Sequence, residues 1–170
     1  MSARRESEPA LMKNPTTVER KSEREVVVTR TINGPARIVF EAFTKPDLFK
    51  RWWVPKSLGL TLVSCELDVR VGGTYRLVFS HSGSEMAFFG SYREVKPHSR
   101  LSWSNEESDE GAVTTVTFEE SAGKTLVTLS DLYPSKEALD TGIGSTDGMG
   151  ESFDQLDALV ATLTASPGKP

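Results

Sequence analysis

Residues 63–79 read VSCELDVRVGGTYRLVF and hold the clearest β-sheet signal in the chain. Apolar and polar side chains alternate up to Val71, and the alternation resumes at Tyr75 after Gly72 and Gly73. A two-residue loop would mix the two faces, whereas a three-residue loop unites the apolar one. We therefore predict a three-residue loop with a glycine at positive φ, and a bulge. The predicted pairs are Val71 with Tyr75, Val69 with Leu77, and Leu67 with Phe79.

The same alternation continues to residue 131, and clusters of turn residues interrupt it five times. This predicts an antiparallel meander of six strands with one apolar and one polar face. Before the meander, residues 26–32 are β-branched and predict a further strand. Helical spacing over 35–43 and a second start at Pro46 predict two short helices after that strand.

A long helix is predicted at the C-terminal end of the chain. Phe153, Leu156, Val160 and Leu163 recur at helical spacing and give it one apolar face. Such a face must be buried, and the apolar face of the sheet is the surface available to it. We therefore expect an α+β fold in which the helix packs on the apolar face of an antiparallel sheet.

The length of 170 residues suits a single domain. Residues 1–23 mix charged and polar side chains without apolar periodicity, so we predict a flexible N-terminal tail there. The domain itself is expected to span residues 24–165, and residues 166–170 form a short C-terminal fringe.

Composition excludes several classes of protein. No uncharged stretch approaches the roughly 20 residues that a membrane helix needs, and no signal peptide is visible. A single cysteine, Cys65, excludes an internal disulfide and any CxxC motif, which favours a cytoplasmic location. The net charge of −4 disfavours a general nucleic-acid binder.

Charge is distributed unevenly along the chain. Residues 1–103 carry a net charge of +6 and residues 104–170 carry −10. The simple interpretation is two solvated surfaces. The alternative is a polarised molecule that attracts a charged protein partner.

The order of these elements resembles that of the helix-grip superfamily, also called START-like, SRPBCC or birch-pollen-allergen-like. Within it, the chain resembles the family of the activator of heat-shock protein 90 ATPase homologue. The segments that carry the resemblance are residues 35–43, 52–55, 68–75, 90–97, 100–103, 148–149 and 152–163. The resemblance implies a helix-grip fold, in which a curved seven-stranded antiparallel sheet wraps around the long C-terminal helix. It also implies a cavity between sheet and helix, where wider superfamily members bind lipophilic molecules. It supplies no catalytic motif.

Eight side chains are candidates for the wall of such a cavity. They are Trp53, Phe79, Phe88, Tyr92, Trp103, Phe118, Met149 and Phe153. Core packing explains many aromatic residues in any domain, so only part of this set need contact a ligand. Buried Tyr92 and Trp103 each carry a polar atom that needs a partner.

Other reactive residues have simpler explanations. His81 and His98 lie in predicted turns, and Cys65 lies on an apolar strand face. The glycine-rich segment 142–150 lacks the lysine of a phosphate-binding loop, and the acidic run 106–110 fits no calcium motif. We therefore predict no catalytic residue, no metal and no cofactor.

Three functions follow as hypotheses. The first is a non-enzymatic module that binds a small lipophilic or aromatic molecule. The second is an enzyme of cyclase or hydrolase type that acts on a hydrophobic substrate. The third is a protein-interaction module, linked to chaperones. None of the three involves nucleic acid or integral membrane association.

Overall fold

The computed structural model describes residues 14–165, which form one eight-stranded antiparallel sheet and four α-helices. The strands are β1 Thr16–Arg20, β2 Glu25–Ile32, β3 Thr61–Leu67, β4 Thr74–His81, β5 Ser84–Lys96, β6 Arg100–Asn105, β7 Val113–Ser121 and β8 Lys124–Leu132. Their order across the sheet is β1-β2-β8-β7-β6-β5-β4-β3. The helices are α1 Ala36–Thr44, α2 Pro46–Trp52, α3 Lys136–Gly142 and α4 Met149–Ala165. Two 3₁₀ segments, Lys56–Leu58 and Ile143–Gly148, precede β3 and α4.

The long helix α4 lies against α1, α2 and the β1–β2 edge of the sheet. Its side chains Phe153, Leu156 and Val160 are fully buried in the main core. The predicted apolar faces of α1 and α4 are therefore the faces that the fold covers. The helix-grip architecture expected from the sequence is confirmed.

The two short helices are joined tightly because a proline begins the second of them. Pro46 occupies the first turn of α2, where its missing N–H costs no hydrogen bond. Trp52, at the end of α2, is fully buried, and its Nε1 donates a 2.8 Å hydrogen bond to the Ala42 carbonyl of α1. This bond fixes α2 against α1 beside the long helix.

The sheet has eight strands rather than seven because residues 16–20, in the predicted tail, pair with β2. The strand was missed because its only large apolar residue, Val18, is 51% exposed and gives no periodic signal. Backbone pairing with β2 holds it instead, assisted by a hydroxyl contact between Thr17 and Thr29. An ion pair of 2.9 Å joins Arg20 to Asp140 of α3. Residues 1–13 of the predicted tail and the fringe 166–170 lie outside the described residues.

The predicted register of the β3–β4 hairpin was wrong. Leu67 pairs with Tyr75 instead of Phe79, so the loop contains residues 68–73 rather than three residues. Its glycines pair with β5, because the Gly72 amide donates to the Tyr92 carbonyl at 2.9 Å and the Gly73 carbonyl accepts from the Tyr92 amide. The shift is an even number of residues, so the apolar faces still coincide. Gly72 has the expected positive φ of 87°, but the bulge lies between Leu62 and Ser64.

Charge along the sequence does not translate into two separate halves of the molecule. Strand β2, from the basic first part, pairs with β8 from the acidic last part. Within residues 14–165, no helix has the length and apolar character needed to cross a membrane.

Candidate functional site

A cavity of about 610 Å³ lies between the sheet and the helical layer. Its apolar wall comes from the end of α1, from α2 and the segment after it, and from strands β3 to β5 and β8. The loop between β6 and β7, the 3₁₀ segment Ile143–Gly148 and the start of α4 complete it. The apolar part of the wall includes Phe43, Phe49, Trp53, Val54, Leu60, Leu67, Leu77, Phe79, Phe88 and Leu129.

Four polar or aromatic side chains of this wall lie in one row across the sheet. Tyr92 of β5 pairs with Trp103 of β6, Trp103 pairs with Thr114 of β7, and Thr114 pairs with Asp131 of β8. Strands lie about 4.8 Å apart, so the row extends roughly 14 Å from Tyr92 to Asp131. It gives the cavity an aromatic end and a carboxyl end.

Six of the eight candidate side chains line the cavity, namely Trp53, Phe79, Phe88, Tyr92, Trp103 and Met149. Trp53 and Trp103 meet edge to face with ring centroids 6.3 Å apart, and Phe79 lies 5.2 Å from Phe88. The alternating pattern places the strand residues on the concave face. That these side chains contact a bound ligand remains a prediction.

Phe118 and Phe153 do not reach the cavity. Phe118 packs its ring against Phe40 and Phe43 of α1, with centroids 5.4 and 5.2 Å apart, because α1 covers this end of the sheet. Phe153 points from α4 toward α2 and stacks on Trp52 at 6.1 Å. Periodicity identifies the buried face of an element, but it does not distinguish a packed core from a cavity wall.

Polar atoms of the aromatic end are available to a ligand. Tyr92 is 5% exposed and Trp103 is 7% exposed. Within residues 14–165, neither Tyr92 Oη nor Trp103 Nε1 has a hydrogen-bond partner, whereas Trp52 Nε1 has one. Burial raises the pKa of Tyr92 above the ordinary range of a phenol, so its hydroxyl keeps its proton at neutral pH.

The carboxyl end carries a chain of hydrogen bonds that sequence reasoning missed. Tyr75 Oη donates to Asn105 Oδ1 at 2.8 Å, and Asn105 Nδ2 donates to Thr114 Oγ1 at 3.0 Å. Thr114 Oγ1 then donates to Asp131 Oδ1 at 2.6 Å. A signal was present in the sequence, because alternation from Val127 through Leu129 places Asp131 on the apolar face.

Burial raises the pKa of the Asp131 carboxyl, and the hydrogen bond from Thr114 opposes this effect only in part. Burial also raises the pKa of Tyr75, and the negative charge of Glu107 adds to that shift. Among the described cavity residues there is no lysine, arginine or histidine. The carboxyl end is therefore an acceptor without a neighbouring cation.

The acidic run and the glycine-rich segment both reach the cavity rim. Glu107 and Glu110 line it from the β6–β7 loop, and Asp147 lines it from the 3₁₀ segment. All three side chains are exposed. Glu106, in the same loop, accepts hydrogen bonds from the hydroxyls of Ser104 and Ser91, which lower the pKa of its carboxyl.

The remaining reactive residues lie away from the cavity. Cys65 packs partly against the main core, and burial raises the pKa of its thiol to about 11. His81 contacts the Gly59 carbonyl, and His98 packs edge to face on Phe40 at 5.6 Å. In the part of the chain that the structure describes, no cluster of histidine, cysteine or acidic residues has a geometry suited to a metal ion.

Comparison with known proteins agrees with this architecture. The profile of the family described as "Activator of Hsp90 ATPase homolog 1-like protein" matches residues 33–161. A crystal structure from Nitrosomonas europaea has 22% identity and a TM-score of 0.76, with 86% of this chain and 99% of that chain covered. One from Rhodobacter sphaeroides has 21% identity and a TM-score of 0.79, with 88% and 99% covered. One from Chromobacterium violaceum has 28% identity and a TM-score of 0.68, with 80% and 96% covered. No curated protein matches the chain significantly.

Proposed function

The chain belongs to the Activator of Hsp90 ATPase homolog 1-like protein family, and we propose that it binds a small lipophilic or aromatic molecule in the cavity between sheet and helix. The observation that supports this proposal best is the cavity itself. Its volume of about 610 Å³ lies in the range of small-molecule sites, which are mostly apolar with a few polar groups. Tyr92 and Trp103 supply such polar groups at the aromatic end of the wall.

The apolar wall sets the expected strength of binding. Burial of apolar surface contributes about 25 cal/mol per Å², and the loss of ligand freedom opposes it. A bicyclic aromatic molecule with one polar group should therefore bind with a Kd of about 10 µM to 1 mM. A molecule that fills more of the cavity should bind more tightly.

The three tryptophans allow a direct test by NMR. Trp53 and Trp103 line the cavity, whereas Trp52 is fully buried with its indole N–H bonded to Ala42. Naphthylmethanol should shift the indole signals of Trp53 and Trp103 and leave that of Trp52 nearly unchanged. Equal shifts of all three signals, or none at saturating probe, would refute cavity binding.

A matched pair of variants separates the cavity from the outer surface. Leu77 lines the cavity from β4, whereas Leu126 on β8 is exposed and is not part of its wall. Leu77→Trp should fill part of the cavity and weaken naphthylmethanol binding at least about fivefold. Leu126→Trp should leave the Kd unchanged. Thermal melts establish that both variants are folded before titration calorimetry.

A second candidate function is an enzyme that acts on a hydrophobic substrate, and Asp131 is the observation that favours it. A cavity carboxyl with a raised pKa is suited to exchange a proton with a bound molecule. Hydrolysis of p-nitrophenyl butyrate by the purified chain is a simple first assay. Turnover that Asp131→Asn abolishes, while the Kd for naphthylmethanol is retained, would support this function. Equal rates in both proteins would exclude Asp131 as the catalytic group.

Two further expectations stand beside these proposals. A cytoplasmic location agrees with the single cysteine of the sequence. It can be checked by fractionation of cells that express the tagged chain. A protein partner would be sought by affinity capture at low salt, since an electrostatic complex weakens as salt rises.

A further inference from the structure

Three hydrogen bonds between side chains at the carboxyl end of the cavity run in one direction, while Tyr75 and Asn105 also donate to the Ser104 and Ala112 carbonyls. Tyr75, Asn105 and Thr114 each donate to the next residue, and the last acceptor is Asp131. The network therefore ends on a group that, when ionised, can only accept hydrogen bonds. A ligand that meets this end must supply a donor.

Among the residues that the structure describes, no cation pairs with Asp131. Within residues 14–165 it forms no ion pair, and its one hydrogen bond comes from the Thr114 hydroxyl. Its neighbour in β2 is Val26, which belongs to an apolar cluster with Ala112, Tyr133 and Leu139. An ionised carboxylate in such surroundings is unfavourable unless an opposite charge joins it.

Two arginines lie near this end but outside the cavity wall. Arg24 Nε donates to the Tyr133 carbonyl at 2.8 Å. Arg20, which pairs with Val26, forms its ion pair with Asp140.

The titratable groups that line this end of the cavity are acidic or neutral. Tyr75 faces it from β4, and Tyr133 faces it from the segment after β8. Glu107 and Glu110 approach from the β6–β7 loop, and Asp147 approaches from the 3₁₀ segment. The rim therefore adds negative charge, which attracts cations to the entrance.

Two nearly buried polar side chains at the other end of the row point to a ligand independently. Trp103 Nε1 and Tyr92 Oη have no protein partner within the described residues, although both side chains are more than nine-tenths buried. Trp103 lies two strands from Asp131, about 10 Å away. Its ring and that of Tyr75, 6.3 Å apart, also offer faces that favour a nearby cation.

From these observations we infer that the cavity selects lipophilic amines: molecules with an aromatic or aliphatic body and a protonated nitrogen that pairs with Asp131. The inference rests on the proposed binding function and specifies its ligand class. The body would lie toward Trp103 and Tyr92, and the ammonium group would contact the Asp131 carboxylate at the carboxyl end. A hydrogen bond to a charged group inside a protein is stronger than a neutral one, so the charged nitrogen should dominate selectivity.

The affinity for amines should also depend on pH. Burial raises the pKa of Asp131, so part of the free protein carries a neutral carboxyl as the pH falls. An amine must displace that proton, and its affinity should rise with pH until Asp131 is fully ionised. A neutral ligand of the same shape should show no such rise.

The test uses three probes with one naphthyl body: naphthylmethylamine, naphthylmethanol and naphthoate. Titration calorimetry on the full chain should give a Kd for the amine about ten- to a hundredfold below that of the alcohol. Naphthoate should bind more weakly than either. Asp131→Asn has the same shape and should bring the amine to the affinity of the alcohol, while the alcohol changes less than about twofold.

A rim carboxylate provides the matched control. Glu110→Gln removes one negative charge of the same kind from an exposed position. It should change the amine Kd by less than about threefold, and added salt should remove the difference. The effect of Asp131→Asn should persist in salt, because that carboxyl is half-buried in the cavity and is screened less than the exposed Glu110. Proton uptake or release, measured in buffers of different ionisation enthalpy, should accompany amine binding to the wild-type chain alone.

The outcomes separate the two proposals. If amine and alcohol bind the wild-type chain equally, or naphthoate binds best, the selectivity for amines is wrong while cavity binding stands. If Asp131→Asn and Glu110→Gln weaken the amine to the same degree, the charge of the rim and not Asp131 is responsible, and the inference fails. If no probe shifts the Trp53 and Trp103 signals, cavity binding itself fails.

Discussion

Arg30→Met should destabilise the fold by about 3 kcal/mol, because it removes the cation that joins the long helix to the sheet. Arg30 lies on β2, is only 2% exposed, and points toward α4. Its Nη1 contacts Asp154 Oδ1 at 2.8 Å, and its Nη2 contacts Asp157 Oδ2 at 3.3 Å. Nη1 also donates to the Thr16 hydroxyl of β1 at 2.9 Å.

The magnitude follows from the burial of the three charges. Removing one partner of a buried ion pair lowers the free energy of unfolding by about 3–5 kcal/mol, because the remaining charge stays in a poorly solvated environment. Here the Asp157 side chain is 14% exposed and that of Asp154 is 35% exposed, so water can reach the second carboxylate. Asp157 also keeps a bond from the Asn33 amide. These features, and the buried Arg30 Nε without a partner, place the estimate at the lower end.

Urea denaturation followed by circular dichroism gives the free energy of unfolding. A loss of about 3 kcal/mol should lower the melting temperature by roughly 6–12 °C for a domain of this size. Arg30→Met combined with Asp154→Asn and Asp157→Asn should recover much of the loss, because no buried charge is left unpaired. The reasoning is wrong if Arg30→Met alone costs less than about 0.5 kcal/mol, or if the triple variant is no more stable than the single one.

Three further predictions concern other parts of the chain. Gly90→Ala should cost about 2–3 kcal/mol in urea denaturation, because the added Cβ would lie 1.7 Å from the Ser104 carbonyl oxygen and 2.8 Å from the Tyr75 ring. A loss below about 0.5 kcal/mol would contradict this. Asp131→Asn should stabilise the fold by about 1 kcal/mol at pH 7. The raised pKa of Asp131 means that its ionisation is unfavourable in the folded state. The gain in stability should therefore shrink as the pH falls through that pKa. A gain that does not depend on pH would contradict this explanation. Cys65, with a pKa of about 11, should react with Ellman's reagent at pH 8 about a hundredfold more slowly than in urea, and equal rates would show an exposed thiol.

The main features of the fold follow from two periodicities in the sequence. Alternation from residue 60 to 131 predicts six strands, and helical spacing around Leu156 predicts the helix that they enclose. Both signals reflect burial of one face, so they identify elements that pack against the core. Strand β1 has little buried apolar surface, and residues 16–20 therefore carry no such signal. Its position depends on the exposed edge of β2, which only the folded sheet provides.

The hairpin register shows a second limit of local pattern. Any even shift between β3 and β4 keeps the apolar faces together, so alternation cannot choose between them. The choice is made by a distant strand, since the Gly72 amide and the Gly73 carbonyl bond to Tyr92 of β5. Turn chemistry did identify a glycine at positive φ. It could not reveal that the turn also serves as a partner for another strand.

The aromatic wall of the cavity could be predicted from the sequence, but its polar side chains could not. Aromatic side chains on alternating positions identify most of its wall, as Phe79 and Trp103 illustrate. Asp131 was overlooked because a single carboxyl at the end of a strand is usually solvated. Its partial burial is explained by Tyr133, Ala138 and Leu139, which follow β8 and form an apolar cluster with Val26, the partner of Asp131 in β2.

Arg30 and Asp131 are two charged residues of the concave face that differ in how their charges are compensated. Arg30 lies opposite Val127 and Asp131 lies opposite Val26 in the β2–β8 pair, so they are four residues apart and do not meet. Two carboxylates of α4 neutralise Arg30 inside the protein, whereas a single hydroxyl contacts Asp131. If this contrast is correct, removing the charge of Arg30 must weaken the fold and removing that of Asp131 must strengthen it. A charge whose removal strengthens the fold does not contribute to its stability, and the lining of a cavity is where such a group can contribute to binding instead.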